Sequence, residues 1–353
     1  MTGLRTPPAI SPPKARPGDR VAVLSPAFAA PAVAPGIHEQ GMRRLRELTG
    51  LEPVEYPTTR MLDASPEARA ADVNAALADP GIRAILATIG GDDQITVTRH
   101  VDTALLAADP KPFLGFSDNT NLLNLWWGAG VRAFHGGSTQ LHLGTGPGAD
   151  PEHAASLRAA LLDGGELELT EPGWSQDHGH EWDDPRALTD NRPDPRAPEP
   201  WSWAGPAARV SGPTWGGCLE IVDWLGLARR LPDPEALEGG ILLVETSEER
   251  PDAATVGRWL RALGEGGILG AIAGVLAARP ITHDRGEPDD AARRAAERAA
   301  QRDAIVETVA RYNPDAVVAT GVPFGHTRPQ WIVPYGGILT LDGAERRVSA
   351  SYD

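Results

Sequence analysis

The sequence predicts an α/β protein built on a parallel sheet. Three observations carry that expectation: short apolar runs alternate with stretches of helical spacing, Gly (39) and Pro (33) are plentiful, and 353 residues suffice for two domains or one large one. Arg20-Val21-Ala22-Val23-Leu24 is apolar and is broken by Ser25-Pro26, so it reads as a buried strand. A helix over Ile37 to Leu48 follows, with its apolar residues on one face, and then a strand over Glu52 to Tyr56. Ser65, with Glu67 downstream, opens a helix that runs through Ala78, and Ala84 to Ile89 is the next strand. Phe113 to Phe116 is an apolar run stopped by a polar cluster, hence another buried strand. Asn121-Leu122-Leu123-Asn124-Leu125-Trp126-Trp127 then has helical spacing and ends near Gly128 and Gly130; Val131 to Phe134 closes this first set. Strands separated by helices imply a parallel sheet covered on both faces.

Composition changes after about Leu162. From Glu171 to Pro213 the chain is rich in Pro, Asp, Trp and His and lacks apolar periodicity, which suggests a long connector draped over a surface. It carries Trp174, Trp182, Trp201 and Trp203, and disordered linkers are poor in aromatics, so an ordered connector is expected. The second set of elements starts at about Val210: a helix over Leu219 to Leu227, a strand over Gly240 to Val244 and a helix over Val256 to Leu263. A glycine-bearing strand over Gly270 to Ala277 and a long charged amphipathic helix over Asp289 to Tyr312 come next, the latter reading as a solvated face with i, i+4 pairs. Ala316 to Thr320, Trp331 to Pro334 and Ile338 to Leu341 complete the set as strands. The resulting division is a flexible proline-rich segment 1–17, an α/β domain 18–165, the tryptophan-rich connector 166–209 and a carboxyl-terminal domain 210–353.

Lys and Arg number 33 against 48 Asp and Glu, a formal charge of −15, and no basic, aromatic-interleaved stripe is present. Binding to a nucleic-acid polymer is therefore not expected. One cysteine, Cys218, cannot form an internal disulfide, which fits a reducing compartment; its neighbours Gly217 and Leu219 suggest a small packed residue. Met1 to Asp19 has no apolar core of a signal peptide, and the weakly polar stretch Gly266 to Ala278 is too short to span a bilayer. A cytoplasmic protein without membrane attachment is the expectation.

The chemistry-bearing residues stand at strand ends and in stiff loops. Ser117, in Gly115-Phe116-Ser117-Asp118-Asn119, lies where a strand gives way to a helix. In open α/β sheets that edge binds ligands, and the N–H groups opening the helix hold negative charge. Two readings fit it, a nucleophile or a helix cap. Glu245 directly follows Ile241-Leu242-Leu243-Val244 and is either an orienting carboxylate or the start of a solvated turn. His326 sits in Gly321-Val322-Pro323-Phe324-Gly325-His326-Thr327-Arg328-Pro329, where two prolines supply the rigid mounting that a catalytic base needs. In Thr88-Ile89-Gly90-Gly91-Asp92-Asp93, a strand runs into two glycines whose N–H groups can approach a ligand closely. It lacks a Gly-x-Gly-x-x-Gly pattern, and its aspartates would repel phosphate.

Gly-Phe-Ser-Asp at 115–118, Thr-Ile-Gly-Gly at 88–91, Ile-Leu-Leu-Val-Glu-Thr-Ser-Glu-Glu at 241–249 and Gly-His-Thr at 325–327 together resemble the LD-carboxypeptidase family of serine peptidases. The closer resemblance is to its branch of microcin C self-immunity carboxypeptidases. Gly18-Asp19-Arg20-Val21, Gly216-Gly217-Cys218-Leu219-Glu220 and Ala278-Arg279-Pro280 add to it, so that it runs from about Pro17 to Leu341. The resemblance implies an amino-terminal three-layer domain with a parallel sheet, flavodoxin-like or Rossmann-like, and a carboxyl-terminal α/β domain of swivelling type. It further implies a catalytic triad of Ser117 as nucleophile, His326 as general base and acid, and Glu245 as the carboxylate fixing the histidine. Gly91 and Asp118 would supply the oxyanion hole, Gly90 would touch substrate, and the active site would lie between domains of a homodimer needing no cofactor. Phe134-His135-Gly136-Gly137-Ser138 departs from the family, whose members usually show a tyrosine, glycine and proline there. His135-Gly136-Gly137 also resembles the oxyanion loop of lipases and esterases, although there the loop precedes the nucleophile.

The substrate expected from this resemblance is a small peptide or a peptidyl- or aminoacyl-nucleotide, the latter as in microcin C detoxification. Murein tetrapeptide losing its terminal D-alanine is the alternative, and a catalytically silent protein that binds a ligand in the same cleft is a reading of another class. Trp174 or Trp182 stands where the branch stacks a tryptophan on the nucleobase; the other reading is that these rings anchor the connector. His178 and His180 with Asp177, Asp183 and Asp184 form an acidic loop, and no metal site is expected from it.

Overall fold

The computed structural model describes residues 6–190, 195–197 and 200–353; residues 1–5 of the proline-rich segment and the remaining connector positions lie outside the description. The fold is mixed α/β with two sheets. The first is formed by β1 (Arg20–Leu24), β2 (Glu52–Glu55), β3 (Ile82–Ala87), β4 (Phe113–Gly115), β5 (Ala133–His135) and one distant strand, β12 (Val333–Tyr335), in the order β12-β5-β4-β3-β1-β2. Its five sequence-adjacent strands pair in parallel, while β12 runs antiparallel to β5 with Val333 opposite His135. Val21 to Leu24 and Ala84 to Ala87 are buried, as both-face coverage demands.

Helices α1 (Ala30–Val33), α2 (Pro35–Thr49), α3 (Pro66–Ala78), α4 (Thr103–Ala108), α5 (Thr120–Gly128) and α6 (Pro151–Arg158) accompany this sheet. Their ends follow local chemistry. Ser65 accepts the Ala68 N–H at the start of α3, and Asp102 accepts that of Ala104 at the start of α4.

The second sheet has the order β6-β14-β13-β8-β9-β10-β11-β7. Its members are β6 (Glu166–Leu169), β7 (Ser202–Ala204), β8 (Arg209–Cys218), β9 (Ile241–Glu245), β10 (Gly274–Ala278), β11 (Val317–Val322), β13 (Ile338–Asp342) and β14 (Arg347–Ser351). β8 to β11 form its parallel centre, flanked on both sides by antiparallel strands. Helices α7 (Leu219–Leu227), α8 (Ala253–Glu265), α9 (Ile268–Ala271) and α10 (Ala291–Tyr312) belong to this half.

Several features differ from the sequence expectations, among them two strands, β8 and β14, that were not expected. β6 and β7 lie within the expected connector and are edge strands of the second sheet; their brevity and half-polar composition hide them. The stretch expected as one strand from Gly270 begins inside α9, and β10 starts at Gly274. β12 leaves the carboxyl-terminal part of the chain to join the first sheet, so the sheets do not divide at residue 210. The proline-rich segment, expected to be flexible, is docked in its described part: Ile10 exchanges backbone bonds with Gly130 and Arg132, and Ala15 N–H donates to Leu161.

Candidate active site

Ser117 follows β4 and Phe116 and opens a helical turn that leads into α5. Its φ of 62° is left-handed, a conformation that costs a residue with a side chain about 1–2 kcal/mol and lifts the hydroxyl out of the strand-to-helix turn. Gly90 is what allows the serine there: a Cβ on it would stand 2.8 Å from Ser117 Cβ and 2.9 Å from its Oγ. The turn is pinned by neutral amides. Asn119 Nδ2 donates to the carbonyls of Ile89 and Phe116, each at 3.0 Å, and its Oδ1 accepts Gln94 Nε2 at 2.8 Å. Asp118 accepts the Gln94 N–H at 2.9 Å and Asn121 Nδ2 at 2.8 Å. Burial pushes the Asp118 carboxyl up to about 6 against those two donors.

Two backbone N–H groups lie near the Ser117 turn without a hydrogen bond among the described residues. No hydrogen bond among the described residues uses the N–H of Gly91, whose backbone runs against Ala27 and Phe28. The Asp118 N–H precedes the first bond of the turn, which Asn119 makes to Phe116 at 3.2 Å.

Glu245 ends β9, buried, opposite Cys218 of β8. His326 Nδ1 lies 2.6 Å from Glu245 Oε2. Gly325 makes this approach feasible, since a Cβ on it would meet Glu245 Oε2 at 2.7 Å. The loop is tied down by Gln330, whose Nε2 donates to the Gly325 carbonyl at 2.8 Å while its Oε1 accepts the Gly137 N–H at 2.9 Å. Phe116 links the two halves, standing edge-on to His326 with ring centroids 5.0 Å apart. The residue before Ser117 therefore touches the imidazole held by Glu245.

Electrostatics at this centre are strong. Burial disfavours charge on His326, yet the Glu245 carboxylate outweighs it, with Glu248 and Glu220 adding, and the imidazole is raised to about 9. Burial likewise works to raise Glu245, and His326 overcomes it, so its pKa lies below the usual carboxylate value. Glu248 Oε2, on a mostly exposed side chain, is 3.3 Å from His326 Nε2. Cys218 is buried and donates its S–H to Glu220 Oε2 at 3.2 Å; burial and the nearby Glu245 and Glu220 push the thiol up, away from thiolate chemistry.

The connector reaches the same loop. Gln176 and Arg328 exchange backbone bonds at 3.0 Å in both directions, which brings the segment after half-buried Trp174 beside the residues that follow His326. Trp182 packs on the small cluster of Ala34, Ile37 and Ala187, an anchoring contact. Asp177, offered by the sequence as part of an acidic loop, is buried between Arg279 at 2.8 Å and Arg298 at 3.3 Å. Sequence reasoning named Ser117, Glu245, His326, Gly90, Gly91 and Asp118. It missed Gln94, Asn119 and Gln330, whose amides carry no sequence signal of their own.

Comparisons with known proteins agree with this architecture. Residues 21–136 match the LD-carboxypeptidase N-terminal domain and residues 211–341 the LD-carboxypeptidase C-terminal domain. A Vibrio cholerae protein named "Putative carboxypeptidase" is 26% identical over 92% of this chain and 92% of its own length. The microcin C7 self-immunity protein MccF of Escherichia coli is 25% identical over 80% of this chain and 77% of its own. Its wild-type apo structure superposes with a TM-score of 0.81 at 21% identity, covering 97% of this chain and 98% of that one. The MccF complex with glutamyl sulfamoyl guanosine gives 0.78 at 21% identity, over 99% and 98%.

Proposed function

The chain belongs to the LD-carboxypeptidase family, and from that premise we propose that it is a serine carboxypeptidase or amidase with the triad Ser117, Glu245 and His326. The observation that carries the reading is the left-handed Ser117 beside Phe116, whose ring abuts the Glu245-bound His326. Neutral His326 takes the Ser117 proton at Nε2 as Oγ attacks an amide carbonyl. The oxyanion is received by the N–H groups of Gly91 and Asp118. Imidazolium then protonates the leaving amine, and water, deprotonated by the same imidazole, releases the acyl group from Ser117. Glu245 holds the ring in the tautomer with Nδ1–H and stabilises its charge.

The substrate we favour is an aminoacyl- or peptidyl-nucleotide. Support comes from the relatives: MccF is found with glutamyl sulfamoyl guanosine, and an MccF-like protein of Streptococcus pneumoniae with AMP. Trp174, which precedes the segment paired with the loop after His326, is the connector tryptophan we favour for stacking on a base. Murein tetrapeptide is the alternative substrate. A fluorophosphonate probe tests the enzyme reading: labelling of Ser117 that disappears in Ser117→Ala supports it, and folded protein that never labels points to a silent binding protein. Mass spectrometry of products from an aminoacyl-sulfamoyl nucleotide and from murein tetrapeptide decides the substrate; cleavage of the murein peptide alone removes the stacking role of Trp174.

A further inference from the structure

At the heart of the molecule, Glu245 Oε1 and both ring nitrogens of His135 make no side-chain hydrogen bond of normal geometry among the described residues; the His135 ring has only the backbone of Phe324 and its own within reach, and Glu245 the weak S–H of Cys218. Both side chains are completely buried, where an unpaired polar atom is costly. They are also neighbours. His135 Nε2 lies 3.8 Å from Glu245 Oε1, while the other oxygen, Oε2, is the one 2.6 Å from His326 Nδ1. His135 reaches this position because it ends β5, which is paired with β4, the strand leading to Ser117, and with β12, which follows the His326 loop.

We propose that His135 is a positioning residue whose Nε2–H donates to Glu245 Oε1, clamping the carboxylate between two imidazoles so that Oε2 stays aimed at His326. The proposal rests on the reading of Glu245 and His326 as the acid and base of a hydrolase. At 3.8 Å the pair is short of a hydrogen bond, and an approach of about 0.8 Å completes it, the kind of tightening seen when catalytic sites bind substrate. The other groups facing the pair are His326, Cys218, Glu220 and Glu248. Among them, the Cys218 S–H lies within reach of both Glu220, at 3.2 Å, and Glu245, but a thiol is a weak donor, and Glu220 Oε1 accepts from Ser247, so His135 is the strong donor available to Oε1. Burial lowers the His135 imidazole to about 4 in spite of Glu245, leaving a neutral ring that donates one N–H without competing with His326 for a proton.

The test uses full-length protein with His135→Phe and His135→Gln, the first removing the donor within an already aromatic surrounding of Phe116 and Phe324, the second returning an N–H at similar reach. Steady-state kinetics and the low-field proton resonance of His326 Nδ1–H are measured on each. His135→Phe is expected to lower kcat on the order of ten- to hundred-fold with KM changed less than about threefold, and to weaken the resonance; His135→Gln restores most of both. A wild-type kcat or an unaltered resonance in folded His135→Phe overturns the proposal, as does a Gln variant no better than Phe. Should His135→Phe fail to fold, the resonance in His135→Gln decides: retained, it supports the clamp, and lost, it overturns it. If the wild-type protein cleaves neither substrate nor labels at Ser117, the hydrolase reading falls, and the resonance alone still reports whether His135 holds Glu245.

Discussion

The Ser117 turn and the Glu245–His326 pair face each other across Phe116, yet they are held by different forces. The turn is held mainly by sterics and amide hydrogen bonds: a left-handed residue, a glycine that makes room, and amides from Asn119, Gln94 and Asn121, with the buried Asp118 carboxyl accepting two of the bonds. The pair is ionic and buried, and its geometry depends on a charge that titrates. The difference teaches that the nucleophile's half of the site responds chiefly to volume, while the base's half is set by a titrating ion pair.

The largest expected effect comes from the ionic half. Glu245→Gln keeps the shape but offers His326 an amide in place of a carboxylate, and kcat should fall by about 10⁴ in a steady-state assay. Next is the steric half: Gly90→Ala puts a methyl 2.8 Å from Ser117 Cβ, and displacement of the nucleophile should cost about 10² in kcat/KM with the Glu245–His326 resonance unchanged. An equal loss of that resonance would show that the halves are not independent.

The pH dependence sharpens the contrast. Only neutral His326 accepts the Ser117 proton, so with its pKa raised to about 9, kcat/KM should climb as pH rises toward that value. Glu248→Gln removes one of the carboxylates that raise it and should move the acid limb to lower pH, while Gly90→Ala should leave the limb where it is. The same pair bears on stability with a definite sign. His326 is raised above its unfolded value near 6.5, so its contribution is present in full below that pH and lost as pH rises through about 9.

The smallest effect is on acid stability. Burial depresses His135 to about 4 and His153, with Arg328 adding, to about 3, so both fold neutral. Unfolding lets them bind protons below about 6.5, and their stabilisation, present above that pH, is lost as pH falls through their folded values. Asp118, raised to about 6, acts in the opposite sense between about 6 and about 4. Urea midpoints should therefore drop from pH 7 to pH 5, and His153→Gln should flatten that drop.

Most central strands were legible because buried parallel strands are continuous apolar runs, as at Val21 to Leu24 and Ile241 to Val244. The edge strands β6 (Glu-Leu-Glu-Leu) and β7 (Ser-Trp-Ala), and β14 (Arg-Val-Ser-Ala-Ser) next to β6, were not, since each is short and half polar. Helix starts at Ser65, Asp252 and Asp290 obey local capping and so lie in the sequence itself. Within the site, Ser117, Glu245 and His326 stood out because each follows a strand or sits in a stiff loop. His135 stood out only as a departure from the family pattern and a likeness to an esterase oxyanion loop, with no hint of what it faces.

The sequence by itself marked a strand-to-helix junction at Ser117, because the apolar run Phe113 to Phe116 and the polar residues after it are contiguous, while the distant Gly90, Gln94 and Ile89 make room for the turn and pin it only in the folded chain. It also determined that Glu245 would end a buried strand. Tertiary structure decided that His326, 81 residues further on, would meet Glu245 Oε2, and that His135 would approach the other oxygen. That outcome depends on β12 crossing back to pair with β5, an edge-to-edge choice of register between three-residue strands that no local pattern encodes.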